Sequence, residues 1–398
     1  MLPRRDFIGL LLGSLGAHTL RASASDSVPS KPLSPEVRGV WIHPEGSFDA
    51  DPVKGKRQIR AAVRRLADAH FNLILPWTQD GYLVALEHPE YLAAHPQARW
   101  DALGFLIEEA SRVGLNTELW YAFSEYRSRQ SPDFDPHVGG NLQWAARRLG
   151  ELLPNAKTGK IAPRGWSTLC PQHPEARLWQ LELLRKAYQR YPLLKGMHVE
   201  EPGYSHVDEC VCDLCIEVFP KLNGKPLPQW IDSPEGINFR CIGPTAFMSQ
   251  LYQLLQKEYP KFVFSTNGAY DWRIDRRLGR DWTYWAGVDW LDYYAPQIYV
   301  HDVATFRKRL LFTMKTLGGR SLTYAGIGVL WSSGSNTVPT VIGQIEASRE
   351  MNADGTILFL GDGDVVSDEL YRSLLRGPFR LPASLPKRDG DNPISQSA

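Results

Sequence analysis

Short apolar strands and amphipathic helices alternate from residue 37 to residue 375, and this alternation limits the fold more than any other feature of the chain. Val37–His43 reads as a strand, and Gly55–Ala69 has apolar residues at helical spacing with arginines on the other face. Phe71–Pro76 is a second strand. Asp101–Val113 is a helix capped by Asp101, striped by Leu103, Leu106, Ile107 and Ala110, and ended by Gly114. Leu115–Tyr121 follows as a strand, and the helix Pro174–Tyr191 leads into the strand Leu194–Val199. The second half continues with helix Gly243–Tyr259, strand Phe262–Thr266, the run Val288–Tyr299 whose end is a strand, and helix Ala304–Leu317. Strand Ser321–Gly326, helix Val338–Met351, strand Gly355–Leu360 and helix Ser367–Leu375 complete the series. Eight strands, each followed by helical material, predict an α/β chain folded as a (β/α)₈ TIM barrel. A doubly wound sheet would show a Gly-rich phosphate turn after its first strand, and Arg38–His43 leads into none.

Two connections are swollen, Ala122–Gly165 and Pro202–Pro234, giving enlarged loops after strands three and four. Both fall on the face where a barrel builds its site, and long connections of this kind are usually functional. Residues 36–381 form the barrel domain. Before it, residues 1–24 read as a signal peptide: Arg4-Arg5-Asp6-Phe7 precedes the apolar run Ile8–Leu15, and Ala22-Ser23-Ala24 is a small-x-small cleavage site. The paired arginines resemble a twin-arginine export signal, which predicts the Tat export machinery as a partner and a periplasmic or secreted location in a bacterium. An ordinary Sec signal is the alternative. Residues 25–35 read as a linker and residues 382–398 as a disordered tail. With 45 basic and 44 acidic residues the chain has no charge excess to attract nucleic acid or an anionic membrane. No segment after the signal is long and apolar enough for stable membrane insertion.

The chemistry is concentrated where Leu194–Val199 runs into Glu200-Glu201-Pro202-Gly203. Side chains alternate along a strand, so apolar Met197 and Val199 would face the helices and His198 and Glu200 the barrel axis. Hydrolysis of a glycosidic bond needs a carboxylic acid that protonates the leaving oxygen, its pKa raised by burial or by a like charge. Glu200 is the first candidate and Glu201 the second. A partner carboxylate is harder to place. Strand seven ends Tyr324-Ala325-Gly326-Ile327-Gly328, so a nucleophile at its tip fails. Asp362 after strand eight is the choice taken, with Asp364, Glu125, Glu45 and Asp80 as the others. A substrate whose own N-acetyl group attacks would need no protein nucleophile. Polar and aromatic residues near other strand ends would line the cleft: His43, Trp77, Tyr82, Tyr121, Tyr126, Asn267, Gln297, Tyr299 and Trp331, with His198 below. The 13 Trp and 16 Tyr fit a sugar ligand, since flat rings pack on pyranose faces.

Several segments resemble the glycosyl-hydrolase-like family 10, bacterial (β/α)₈ proteins with expected glycosidase activity. They are Arg38-Gly39-Val40-Trp41, Phe71-Asn72-Leu73 with Asp80-Gly81-Tyr82, and Trp100-Asp101-Ala102-Leu103 with Ile107-Glu108-Glu109-Ala110 and Gly114-Leu115. Pro174-Glu175-Ala176-Arg177, Gly196–Glu201 and Ala295-Pro296-Gln297-Ile298-Tyr299 complete the set, over about residues 36–365. The family's Asp-Asp after strand four is Glu200-Glu201 here, which reaches one methylene further. The resemblance implies an exported glycoside hydrolase acting on an oligo- or polysaccharide, peptidoglycan being one candidate, with no cofactor required for catalysis. It also adds weight to Gln297, Tyr299 and Tyr82. The rival reading is a barrel that binds a polysaccharide without cutting it. A metalloenzyme is poorly supported, because His43, His198 and His206 are scattered.

Cysteines stand at 170, 210, 212, 215 and 241. Cys210, Cys212 and Cys215, joined by Cys241, Cys170 or His206, would make a structural zinc site. One disulfide with a free thiol, or reduced cysteines, are the alternatives.

Overall fold

A closed ring of eight parallel strands forms the centre of the computed structural model, which describes residues 35–123, 144–149, 169–361 and 366–386. The strands are β1 Val37–Ile42, β2 Leu73–Thr78, β3 Asn116–Ala122, β4 Gly196–Glu200, β5 Val263–Ala269, β6 Tyr293–Gln297, β7 Leu322–Gly328 and β8 Gly355–Phe359. Each pairs with its neighbours in sequence, and β1 closes on β8 with Val37 opposite Gly355 and Trp41 opposite Phe359. The fold is therefore the expected (β/α)₈ barrel. The signal peptide, most of the linker, Glu125, Tyr126, Asp362 and Asp364 lie outside the described residues.

Alternation along each strand sorts the residues into two layers. Trp41, Leu73, Leu75, Trp120, Tyr293, Tyr324 and Ile357 pack together inside the barrel. Val40, Ile42, Ile74, Ala325, Ile327 and Leu358 face the helices on one side, and Leu119, Met197, Val199 and Phe264 on the other. Burial of these side chains, at roughly 1.5–3 kcal/mol each, drives the packing. Local signals set the helix starts. Asp51 accepts from Lys54 N (2.9 Å), Asp101 from Gly104 N (2.9 Å), Ser233 from Gly236 N (3.1 Å) and Asp302 from Thr305 N (2.7 Å).

The structure changes three readings. The helix expected at Gly243–Tyr259 begins at Pro234 and runs through Gly243-Pro244 to Glu258. Gly243 is there for close packing, since a Cβ would lie 2.5 Å from the Pro171 carbonyl. The connection Pro202–Pro234 is not structureless: Asp213–Asn223 is a helix, ended by Gly224 at φ +67. The tail read as disordered from Pro382 is held at its start. Ser384 O accepts from Glu36 N (3.0 Å), Ala383 O accepts from the Asn72 amide (3.3 Å), and Leu385 packs against the barrel interior. No helix among the described residues is long and apolar enough to cross a membrane.

Candidate active site

Glu200 ends β4 on the inward side, next to Ala122 of β3 in register. Its carboxylate is gripped from both neighbouring directions. Trp120 Nε1 and Asn267 Nδ2 each donate to Oε2 at 2.5 Å, and Gln297 Nε2 donates to Oε1 at 3.2 Å. The barrel dictates these partners: Trp120 lies inward on β3, Asn267 on β5 and Gln297 at the tip of β6. Burial pushes the Glu200 carboxyl up to about 8, and the Glu201 charge pushes the same way. The hydrogen bonds from Asn267 and Trp120 oppose that rise, since they favour the ionised form, but desolvation wins. A protonated Oε1 would find its acceptor in Gln297 with the amide turned over.

Glu201 takes the opposite electrostatic environment. The chain turns sharply there, with φ +37 in the left-handed region, which costs a non-glycine residue about 1–2 kcal/mol. Asn267 pins the turn by accepting from Glu201 N at 3.0 Å. The turn aims the Glu201 side chain at Arg280, whose Nη1 lies 2.8 Å from Oε2. Arg280 is nearly buried and also meets Asp275 Oδ1 (3.4 Å) and the Tyr204 carbonyl (3.2 Å). Asp275, fully buried, accepts from Trp282 Nε1 (3.0 Å) and Tyr294 OH (3.1 Å), and burial pushes it up to about 7. Two adjacent glutamates thus present a carboxylic acid held by neutral donors and a carboxylate held by a guanidinium.

A cavity of about 110 Å³ opens over this pair, lined by Trp77, Phe123, Glu200, Glu201, Tyr204 and Arg280. Aromatic side chains continue the wall on both sides. Trp77 meets Trp120 edge-on with centroids 4.5 Å apart, and His43 lies 4.9 Å from Trp120 and 5.5 Å from Trp77. Across the mouth Tyr299 stacks on Phe359 at 5.4 Å, with Trp331 of the hairpin Leu330–Trp331/Gly334–Ser335 at 5.9 Å.

The structure therefore brings together Glu200, Glu201, His43, Trp77, Gln297, Tyr299 and Trp331 at the strand tips, with Asn267 tying the two glutamates. Other expected residues lie elsewhere. Tyr121 faces the helix layer and donates to buried Asp80 (2.5 Å), which also accepts from Gln180 (3.0 Å). Tyr82 is buried in that same layer, where its hydroxyl accepts from Leu103 N (3.2 Å). His198 points inward but sits below the mouth, fully buried against Trp41 and Tyr293 with Ser265 2.9 Å from Nδ1. Burial pushes it down to about 3, so it is neutral. Glu45 is committed to buried His95 (2.9 Å). Sequence reasoning missed Trp120, Phe359, Tyr204 and Arg280. The strand alternation applied to β3 and β8 would have found the first two. Arg280, 79 residues beyond Glu201, carries no local signal.

Beside the cleft, Cys170, Cys210, Cys212 and Cys215 are all buried, with their sulfurs within 4.8 Å of one another, and this group could hold a metal ion. The fourth member is Cys170. Cys241 lies apart, its thiol near the Arg276 carbonyl at 3.7 Å.

The fold is shared with solved glycoside hydrolases. The glycoside hydrolase domain of PgaB (BpsB) from Bordetella bronchiseptica superposes with TM-score 0.62 at 14% identity, over 85% of this chain and 98% of that one. The catalytic domain of a beta-amylase from Paenibacillus polymyxa gives 0.55 at 9% identity, over 86% and 98%. A catalytic mutant of Gan42B, a GH42 beta-galactosidase from G. stearothermophilus, gives 0.54 at 15%, over 84% of this chain and 56% of that one. No curated protein sequence matches significantly. At these identities the likeness concerns the fold, while the sequence itself matches a family model over residues 36–317: the chain belongs to the family Glycosyl hydrolase-like 10.

Proposed function

We propose that this chain is an exported glycoside hydrolase that cuts a bacterial glycan, with Glu200 as its general acid. The observation that carries the reading is the split between the two adjacent glutamates. Glu200 is pushed up to about 8, so it carries a proton at neutral pH, while Glu201 pairs with Arg280. An acid beside a fixed negative charge is what cleavage through an oxocarbenium-like transition state requires. Glu200 gives its proton to the glycosidic oxygen as the bond from C1 to that oxygen breaks. On an N-acetylated sugar the acetamido carbonyl oxygen would attack C1, and Glu201 would hold the amide N–H. Water then opens the cyclic intermediate and returns a proton to Glu200. Peptidoglycan glycan strands carry such groups and are the preferred substrate. For a sugar without them, Asp362, which follows strand β8 in the sequence, is the proposed partner. The aromatic walls around Trp77 and Tyr299 fit pyranose faces. Export rests on the Arg4-Arg5 signal and the Ala22-Ser23-Ala24 site.

The test is reducing-end release from peptidoglycan strands and a polysaccharide panel by the purified mature protein and its Glu200→Gln and Glu201→Gln variants. The reading expects release that collapses in Glu200→Gln with glycan binding retained. One observation favours a second reading, a barrel that binds without cutting: β7 ends without a carboxylate. That reading expects saturable binding and no new ends from any substrate.

A further inference from the structure

We propose that Cys170, Cys210, Cys212 and Cys215 bind a single zinc ion that ties the two enlarged loops together beside the cleft. The geometry is that of one metal. Four sulfurs around zinc, with bonds of about 2.3 Å, sit on a tetrahedron whose edges are about 3.8 Å. Here all four sulfurs lie within 4.8 Å of one another, and Cys170 and Cys215 are 3.6 Å apart. Disulfides would draw them into two pairs at about 2.05 Å, whereas here the four sulfurs are unpaired and all mutually close. A multi-iron cluster spreads its thiolates over several metal atoms and needs a wider cage.

The surroundings suit thiolates. The backbone amides of Arg147 and Cys212 point at Cys210 Sγ from 3.3 and 3.4 Å, and His173 Nε2 stands 3.7 Å from Cys212 Sγ. Donors of this kind share the charge of metal-bound sulfur and fix its orientation. Phe219 and Phe239 pack around the group and keep water out. With four protein ligands the coordination sphere is closed, so the ion is structural.

Its position gives it a task. Cys170 ends the loop after β3, and the other three cysteines follow β4, so the ion joins segments 40 to 45 residues apart in the chain. The Tyr204 hydroxyl lies 3.9 Å from Cys170 Sγ, and Tyr204 forms the cleft wall next to Glu201. The proposal holds whether or not the cleft cuts a glycan.

The test is metal analysis of the full chain purified without chelators, together with cobalt substitution and two variants. The expected result is one zinc per chain. The cobalt form should show the strong visible absorption of a tetrahedral site and sulfur-to-metal charge transfer. Cys170→Ser should lose the stoichiometric zinc, and Cys241→Ser should keep it. Wild-type protein with no zinc, whether its cysteines are disulfide-bonded or freely alkylated, would overturn the proposal. Full zinc in Cys170→Ser would do the same. If that variant does not fold, the cobalt spectrum of the wild type decides, and a spectrum without thiolate charge transfer counts against the site.

Discussion

Arg280 Nη1 stands 2.8 Å from Glu201 Oε2, while the adjoining Glu200 is held by the neutral donors of Trp120, Asn267 and Gln297. Neighbouring residues thus sit in different surroundings, one beside a guanidinium and one among neutral donors. Arg280 is nearly buried and also faces buried Asp275, so replacing it strands two carboxylates. Arg280→Met should cost about 3–5 kcal/mol in urea denaturation. Asp275→Asn should cost clearly less, because burial already pushes that group up to about 7 and Trp282 and Tyr294 remain beside it. Equal losses would remove the pairing argument.

The pH dependence follows from Glu200. Its carboxyl titrates near 4.5 when unfolded and about 8 when folded, mainly through burial. The folded state therefore binds the extra proton between these values. The stabilisation is complete below about 4.5 and is lost as pH rises through 8. Turnover should fall over the same alkaline limb, since the acid is then deprotonated. Glu200→Gln should melt higher than the parent above pH 8 while losing about 10²–10⁴-fold in kcat. Asp275 adds slope of the same sign at lower pH, so the quantity to measure is the difference between the two melting curves from pH 5 to 9.

Trp120 offers a finer handle on the same group. Its Nε1 favours the ionised form of Glu200, and Phe at this position keeps most of the ring while removing the donor. Trp120→Phe should move the alkaline limb of kcat upward by about one pH unit, the worth of a hydrogen bond to a charged group. A limb that stays in place would mean that the indole acts on Glu200 only by packing.

The barrel was legible because each strand carries its own alternation and each helix its own cap, and both are local. Asp101 caps its helix as its position in the sequence implied. The site was legible only in part. Alternation oriented β4, but Tyr121 was chosen for its place at a strand end. Glu118 and Trp120, three and one residues before it, point inward and so send Tyr121 out to Asp80. Arg280 and Cys170 were beyond reach for another reason. Each meets its partners because neighbouring parallel strands bring their following loops together, and the chain between them and those partners has no periodic signal that would record the contact. Among three possible fourth members of the cysteine group, spacing alone could not choose Cys170.

The aromatic rim offers a test that separates binding from turnover. Trp331 sits on the small hairpin, 5.9 Å from Tyr299 and 5.0 Å from His301, and does not line the cavity over Glu200 and Glu201. Trp331→Ala should therefore raise KM about tenfold, the loss of roughly 1.4 kcal/mol of stacking, and leave kcat within a factor of about two. Steady-state kinetics on a soluble oligosaccharide would show this. A fall in kcat with unchanged KM would place Trp331 in the reacting region instead.

Gly203 gives the sharpest test of how the loops hold the site. A Cβ there would lie 2.4 Å from the Leu278 carbonyl and 2.5 Å from Arg280 Cγ. That carbonyl already accepts from Tyr204 N at 2.8 Å, so neither neighbour can move alone. Gly203→Ala must push the turn after β4 away from the segment that carries Arg280. Displacing a charged pair by about 1 Å can cost about 10²-fold in rate, and the overpacking itself about 1–3 kcal/mol. Gly114→Ala is the control. Gly114 has φ +80 but nothing within 4 Å of its would-be Cβ, so the change should cost about 1–2 kcal/mol of backbone strain and leave kcat untouched. If the two variants lose rate equally, the loss reflects general destabilisation. If only Gly203→Ala loses rate, the contact between Gly203 and Arg280 sets the geometry of Glu201.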